Sequence, residues 1–247
     1  MISNNIFKME DNKLIFWTGA PGSKWSATAW CLSKTKKLDI DISDRASHRG
    51  YEHSNFPGTR HVGSYFGPGF EFGNKFHNIN TLTKNEIKDE INKAFSNNKY
   101  PEKYKIIRCH QFVYNLDWIR DTFPTSKIVI VYRKSEMAFN GMLSIGSIAE
   151  IKYPNYKEYY KNDKILEEKI NEECYLASKW IFDNDMDVNV ACYNHFKQRW
   201  GLTFKSEEDQ VAKYIRSLEG FFRKNLDPYE KIRYDTIIAY HNFQNNA

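Results

Sequence analysis

The sequence predicts an α/β fold with a central parallel sheet covered by helices. Three observations predict it. The stretch "KLIFWTGAPGSKWSATAW", residues 13–30, reads as an apolar strand, a turn carrying two glycines, and a helix. Strand-like runs then alternate with helical runs along the chain, the pattern of βαβ units. Finally, "SKIVIVYR" is continuously apolar over 128–132, as in a strand buried on both faces of a parallel sheet.

The elements follow in order. Residues 1–12 are a lead-in, 13–18 the first strand, and 23 to about 33 the first helix. From 39 to about 80 no period holds, and Gly, His and aromatic residues crowd together; an irregular stretch of that length reads as an insertion or lid. Thr83 and Glu86 form a capping box ahead of Ile87, Ile91 and Phe95, so a helix starts there. "YKIIRCH" is a strand, "LDWIRDTF" a helix, "SKIVIVYR" a strand and "SEMAFNGMLSIG" a helix. Residues 163–184 give the longest helix, with Ile165, Ile170, Cys174, Ala177 and Ile181 near one face. "DVNVACYNHF" alternates into a further strand ending at Tyr193, and Ser206 with Asp209 caps another helix. The remainder, 220–247, reads as a polar and aromatic helix or tail on the surface. No repeat or linker divides the chain, which is read as one domain over 1–247.

Bulk properties narrow the function. With 247 residues the chain can bury a full core, and 16% aromatic content excludes a disordered polymer. Net charge is +5 without a clustered patch, which suits a small anionic ligand better than nucleic acid. No apolar run approaches the roughly 20 residues that cross a bilayer, and the start lacks the pattern of a secretion signal. The expectation is a cytoplasmic protein without membrane or nucleic-acid partners. Cys31, Cys109, Cys174 and Cys192 are far apart and read as reduced, buried thiols. His48, His53, His61 and His77 are spaced irregularly, as loop residues rather than metal ligands.

The opening turn carries the chemistry. A helix that starts directly after a strand leaves its first N–H groups unpaired and adds positive potential, and both favour an anion. Gly19 and Gly22 allow a tight bend, Lys24 brings a charge, and Ser23 and Ser26 bring hydroxyls. A Walker loop would need Ser or Thr after the lysine, where this chain has Trp25. At other strand ends stand His110, Arg133 and Tyr193, which a parallel sheet would bring to one crevice.

These residues resemble, in order and context, the sulfotransferases that use 3′-phosphoadenosine-5′-phosphosulfate (PAPS), most closely the cytosolic branch. The family's "PKSGTT" turn is met by "APGSKWS", with Pro21 and Ser23 in place, the basic residue at Lys24 rather than at Gly22, and Trp25 and Ser26 where the threonines stand. Its "K-[ST]-H" segment is met by Arg108, Cys109 and His110. Its "VxRNPKDxxxS" segment is met by Arg133, with Gly141 at the serine position and Asn140 or Ser144 as substitutes. "CYNHF" partly matches a "YED"-like segment through Tyr193, and no "RKGxxGDWKxxF" segment is present.

The resemblance implies a P-loop type of fold and an in-line transfer of a sulfuryl group from PAPS to a hydroxyl or amine. It implies that Gly22, Ser23, Lys24, Trp25 and Ser26 hold the 5′-phosphosulfate and that Lys24 stabilises the leaving oxygen. Arg133, with Asn140 and Gly141, would hold the 3′-phosphate at the opposite end of the nucleotide, with Tyr193 near the adenine. His110 would be the base, or else a carboxylate, Asp44 or Glu52, as in other branches. No metal is implied, the acceptor is a small molecule or glycan, and oligomeric state is left open. Two rival readings are a P-loop kinase or nucleotide hydrolase using ATP and Mg²⁺, and a non-catalytic nucleotide-binding relative.

Overall fold

The computed structural model describes residues 9–44, 52–53, 56–68, 75–149, 154–202 and 236–243. The expected helix at Ser206 lies outside these residues, as do the side chains of Glu52 and Tyr193.

The strands are β1 (Leu14–Thr18), β2 (Glu52–His53), β3 (Phe56–Arg60), β4 (Ser64–Tyr65), β5 (Lys105–Arg108), β6 (Lys127–Arg133), β7 (Asp187–Val190) and β8 (Thr236–His241). The helices are α1 (Trp25–Ser33), α2 (Lys84–Ala94), α3 (Leu116–Thr122), α4 (Ser135–Leu143), α5 (Pro154–Tyr160), α6 (Asp163–Asp183) and α7 (Tyr193–Trp200). Six strands form one sheet in the order β4-β5-β1-β6-β8-β7, and β2 with β3 forms a separate antiparallel pair.

Side-chain alternation on β1 explains why two layers of helices cover this sheet. Leu14 and Phe16 enter a core with Ile87 and Ile91 of α2, Ile119 of α3 and Trp180 of α6. Ile15 and Trp17 enter a second core with Ala29 and Leu32 of α1 and Phe196 and Trp200 of α7. Every residue of β1 is buried, so neither face can carry a charge. The capping box forms as expected, with Thr83 accepting from the Glu86 N–H and the Glu86 carboxylate accepting from the Thr83 N–H. At α6, Asn162 caps the Ile165 N–H.

Two expectations are corrected. The sheet is mixed, not parallel: β4, β5, β1 and β6 run parallel, but β8 is antiparallel to both β6 and β7. The reason is the tail. "TIIAYH" is too short an apolar run to stand out in a polar segment, yet it inserts in the sheet with Ile238, Ala239 and Tyr240 buried. The stretch from 39 to 80, expected to be irregular, also contributes to the sheet. Ile40 bridges Tyr104, and β4 pairs with β5 as the edge strand. Among the described residues no helix is long and apolar enough to cross a membrane.

Candidate functional site

Neighbouring strands β5, β1 and β6 end side by side, and each end carries one part of the site. After β1 the chain turns through Gly19 to Lys24 into α1. His110 follows β5, and Arg133 is the last residue of β6. The ends are tied together by the Cys109 N–H donating to Trp17 O at 3.2 Å and the Thr18 hydroxyl donating to His110 O at 3.0 Å.

The turn is tightly specified. Gly22 has φ +78°, and a Cβ there would stand 1.9 Å from Ala138 O on α4. Lys24 adopts the left-handed region, φ 66°, at the N-cap of α1, a conformation that costs an L-residue about 1–2 kcal/mol. The first helical bond runs from the Thr28 N–H to Lys24 O, so the amides of Trp25, Ser26 and Ala27 precede it. The Ser23 hydroxyl is buried and has no hydrogen-bond partner among the described residues. Unpaired donors, a lysine and a helix N-terminus give the turn what an anion requires.

Three cations surround it. Arg133 is buried, and its Nη1 donates to Gly22 O at 3.1 Å. Burial and the Arg133 charge together lower the Lys24 ammonium to about 8. Arg108 donates from Nη1 to Ser26 Oγ at 2.8 Å and from Nε to Gly63 O at 3.0 Å, and it lies over the Trp25 ring at 5.3 Å. Burial lowers this guanidinium to about 10, against the opposing field of Asp44.

His110 is buried beside the turn. Its Nδ1 meets Gly19 O at 2.5 Å, which fixes Nδ1 as the donor because a carbonyl can only accept. Nε2 has no hydrogen-bond partner among the described residues. The ring packs on Trp25 at 4.1 Å, with Tyr65 at 5.8 Å and Tyr156 at 6.3 Å. Burial holds the imidazolium down to about 3, only partly opposed by the Gly19 hydrogen bond. The ring is therefore neutral at physiological pH, with its lone pair on Nε2.

The other expected residues fall as follows. Gly141 touches the site, since a Cβ there would lie 3.0 Å from Arg133 Nη1. Asn140 is on the exposed face of α4, and Ser144 Oγ donates to Gly141 O at 2.8 Å. Tyr193 does not end a strand: β7 stops at Val190, and Tyr193 opens α7 at the far edge of the sheet. Three strand spacings, about 14 Å, separate β7 from β1. Asp44 is buried and accepts from the Gly63 N–H at 3.1 Å, facing Arg108 rather than lying open as a base. Arg133, expected at the opposite end of a nucleotide, instead braces the turn.

Tyr156 and Glu173 were not among the expected site residues, and Arg108 entered only as part of the segment that leads to His110. An arginine within the apolar run "YKIIRCH" and a glutamate within the apolar stripe of α6 were the available signals, because a charge in such a place needs a partner.

Fold and site together define an α/β protein with an anion-ready strand–turn–helix and a neutral histidine beside it. In comparison with known proteins, the chain matches no family model, no curated protein and no solved structure.

Proposed function

We propose that the chain is a PAPS-dependent sulfotransferase, with the strand–turn–helix at residues 14–33 acting as a P-loop type of phosphate site. The observation that carries this reading is the meeting of four groups at one point. Lys24, Arg133 and the first amides of α1 surround the turn, and His110 lies beside it on Gly19 O. Sulfuryl transfer asks little covalent chemistry of a protein. It needs alignment, positive charge where the leaving oxygen gathers electrons, and a site for the acceptor's proton.

Each residue has a share of this work. The amides of Trp25, Ser26 and Ala27 and the Ser23 hydroxyl bind the 5′-phosphosulfate. Lys24, at about 8 without ligand, becomes fully charged beside the anion and stabilises the departing oxygen. Arg133 keeps Gly22 in place through its bond to the carbonyl and adds positive charge at the turn. His110 uses Nε2 to accept the acceptor's proton, with its tautomer set by Gly19 O. The acceptor is a hydroxyl- or amine-bearing small molecule or glycan. The ATP–Mg²⁺ reading is disfavoured because Trp25 stands where a metal-binding hydroxyl belongs.

The test is thermal unfolding with adenosine 3′,5′-bisphosphate in metal-free buffer, set against ATP with Mg²⁺. The expected result is a rise in Tm with the bisphosphate alone, corresponding to about 2.7 kcal/mol at a hundredfold excess over Kd. Stabilisation only by ATP with Mg²⁺ would point to phosphoryl transfer, and no response to either would remove the nucleotide from the account.

A further inference from the structure

The proposed reaction leaves one buried acid unused. Glu173 lies on α6 among the apolar residues Ile170, Cys174 and Ala177, and only 1% of it is exposed. A carboxyl so placed is costly unless its oxygens are paired. Oε1 accepts from the Tyr160 hydroxyl at 3.4 Å, a long contact, and Oε2 has no hydrogen-bond partner among the described residues. No described ion pair includes Glu173. Lys169, one turn earlier on α6, has its Nζ over the Tyr159 ring at 3.9 Å instead.

The surroundings are phenol rings. The Tyr160 ring lies 4.5 Å from Tyr156 and 4.7 Å from Tyr159. Tyr156 in turn is 6.3 Å from His110, whose ring packs on Trp25 at the phosphate turn. Gln111, next to His110, reaches the Tyr160 hydroxyl from Nε2 at 3.4 Å. An aromatic row therefore runs from the turn to an unsatisfied carboxyl oxygen.

We infer that Glu173, with Tyr156, Tyr159 and Tyr160, forms a subsite for the ammonium group of an amine-bearing small molecule, which in the proposed reaction is the acceptor. Only the word acceptor rests on the sulfuryl-transfer reading; the ammonium subsite rests on the geometry.

Three physical arguments favour a cation. An ammonium supplies the hydrogen bond that Oε2 lacks. The faces of the phenol rings are negative and attract a desolvated cation, as Tyr159 already does with Lys169. The ammonium also restores the charge that burial suppresses, since burial pushes the Glu173 carboxyl up to about 8 against the opposing field of Lys169 and the Tyr160 hydrogen bond. The groups facing Glu173 are Lys169, Glu172 and Cys174 on its own helix, the three tyrosines of α5, Tyr65 of β4, and Cys109 and Tyr114 between β5 and α3. Burial raises the Cys109 thiol and the phenols, so they stay neutral, and Glu172 is the other acid.

The probes are 2-phenylethylamine and 2-phenylethanol, which match in size and differ in charge. Titration calorimetry of the whole chain at pH 7 is expected to give at least tenfold tighter binding of the amine. Repeating it in buffers of different ionisation enthalpy is expected to reveal proton release, as the amine displaces the Glu173 proton. Glu173→Gln should abolish both the preference and the proton release while leaving binding of adenosine 3′,5′-bisphosphate intact. Should that variant fail to fold, the comparison of amine and alcohol on the natural chain decides alone. Equal binding of the two probes, or no binding of the amine, overturns the subsite. Nucleotide binding alongside that result leaves sulfuryl transfer standing; an amine preference without nucleotide binding leaves the subsite and removes the transfer.

Discussion

Two histidines of this protein are both buried and both neutral, and their surroundings differ in the charges that stand beside them. His195, on α7, is paired through Nε2 with the Tyr240 hydroxyl at 2.8 Å, and Trp200 Nε1 donates to the same oxygen at 3.0 Å. The nearby Arg199 is balanced by an ion pair with Asp187 and lies over the Tyr240 ring at 4.5 Å. Each ring bonds through one nitrogen, and His110 does so to a carbonyl of a turn that is surrounded by Lys24, Arg133 and Arg108. Burial lowers both rings, to about 4 at His195 and about 3 at His110. A displaced pKa thus marks burial at both places, and what differs is the company: clustered cations at the turn beside His110, and an Arg199–Asp187 ion pair beside His195.

The largest expected effect breaks this comparison directly. His110→Gln should reduce sulfuryl transfer by about 10²–10⁴-fold, with the Tm rise caused by adenosine 3′,5′-bisphosphate retained. His195→Gln, which can still bond the Tyr240 hydroxyl, should alter turnover less than twofold. Equal loss in both variants would mean that burial, not position, explains His110.

Acid stability comes next in size. Both imidazoles have folded pKa values below the ordinary 6.5, so the unfolded chain takes up the protons, and stability is lost as pH falls below that value. At pH 4.5, where the unfolded imidazole is protonated and the buried one is not, His110 alone costs about 3 kcal/mol of stability. Urea unfolding between pH 7 and 4.5 should show this slope in the natural chain and a clearly shallower one in His110→Gln. A slope unchanged by that substitution would place the acid sensitivity elsewhere.

The same contrast shows what was legible in the sequence. Local signals carried the half around the turn: a buried run for β6, a capping box for α2, and glycines with a lysine between β1 and α1. Those features depend on neighbours in the chain, so a linear reading finds them. The other half depends on distant partners. β8 is legible only once its place between β6 and β7 is known, and with it came the mixed sheet and the displacement of Tyr193 from the site. The pairing of Arg133 with Gly22 O spans 111 positions, and no periodicity encodes it. Polar residues inside apolar runs were the underused signal: Arg108 and Glu173 each occupy a position where hydrophobic pattern predicts an aliphatic side chain.

Two glycines sharpen the comparison at smaller scale. Gly22 and Gly201 both have positive φ, +78° and +70°, but a Cβ at Gly22 meets Ala138 O at 1.9 Å whereas at Gly201 the nearest atom is 3.7 Å away. Gly201→Ala should therefore lose only the backbone preference, about 1 kcal/mol. Gly22→Ala adds a backbone collision that no side-chain rotation relieves, for a total of about 2–3 kcal/mol. Comparable losses by chemical unfolding would show that the turn yields more readily than its contacts with α4 imply.

The smallest effect isolates the purpose of the turn's strain. Lys24 has a conformation suited to glycine, so Lys24→Gly should relax the backbone and leave stability unchanged or higher by up to about 1 kcal/mol. The ammonium is lost in exchange, and affinity for adenosine 3′,5′-bisphosphate should fall about tenfold, about 1.4 kcal/mol. A pH dependence should disappear with it. In the natural chain an anion raises the Lys24 pKa from about 8, so binding takes up a proton near pH 8 and weakens as pH rises further. In Lys24→Gly the affinity should be flat over that range. A more stable protein that binds less tightly and has lost its alkaline limb would mean the left-handed lysine is kept for its charge at the turn; unchanged affinity would reduce it to a helix cap of poor geometry.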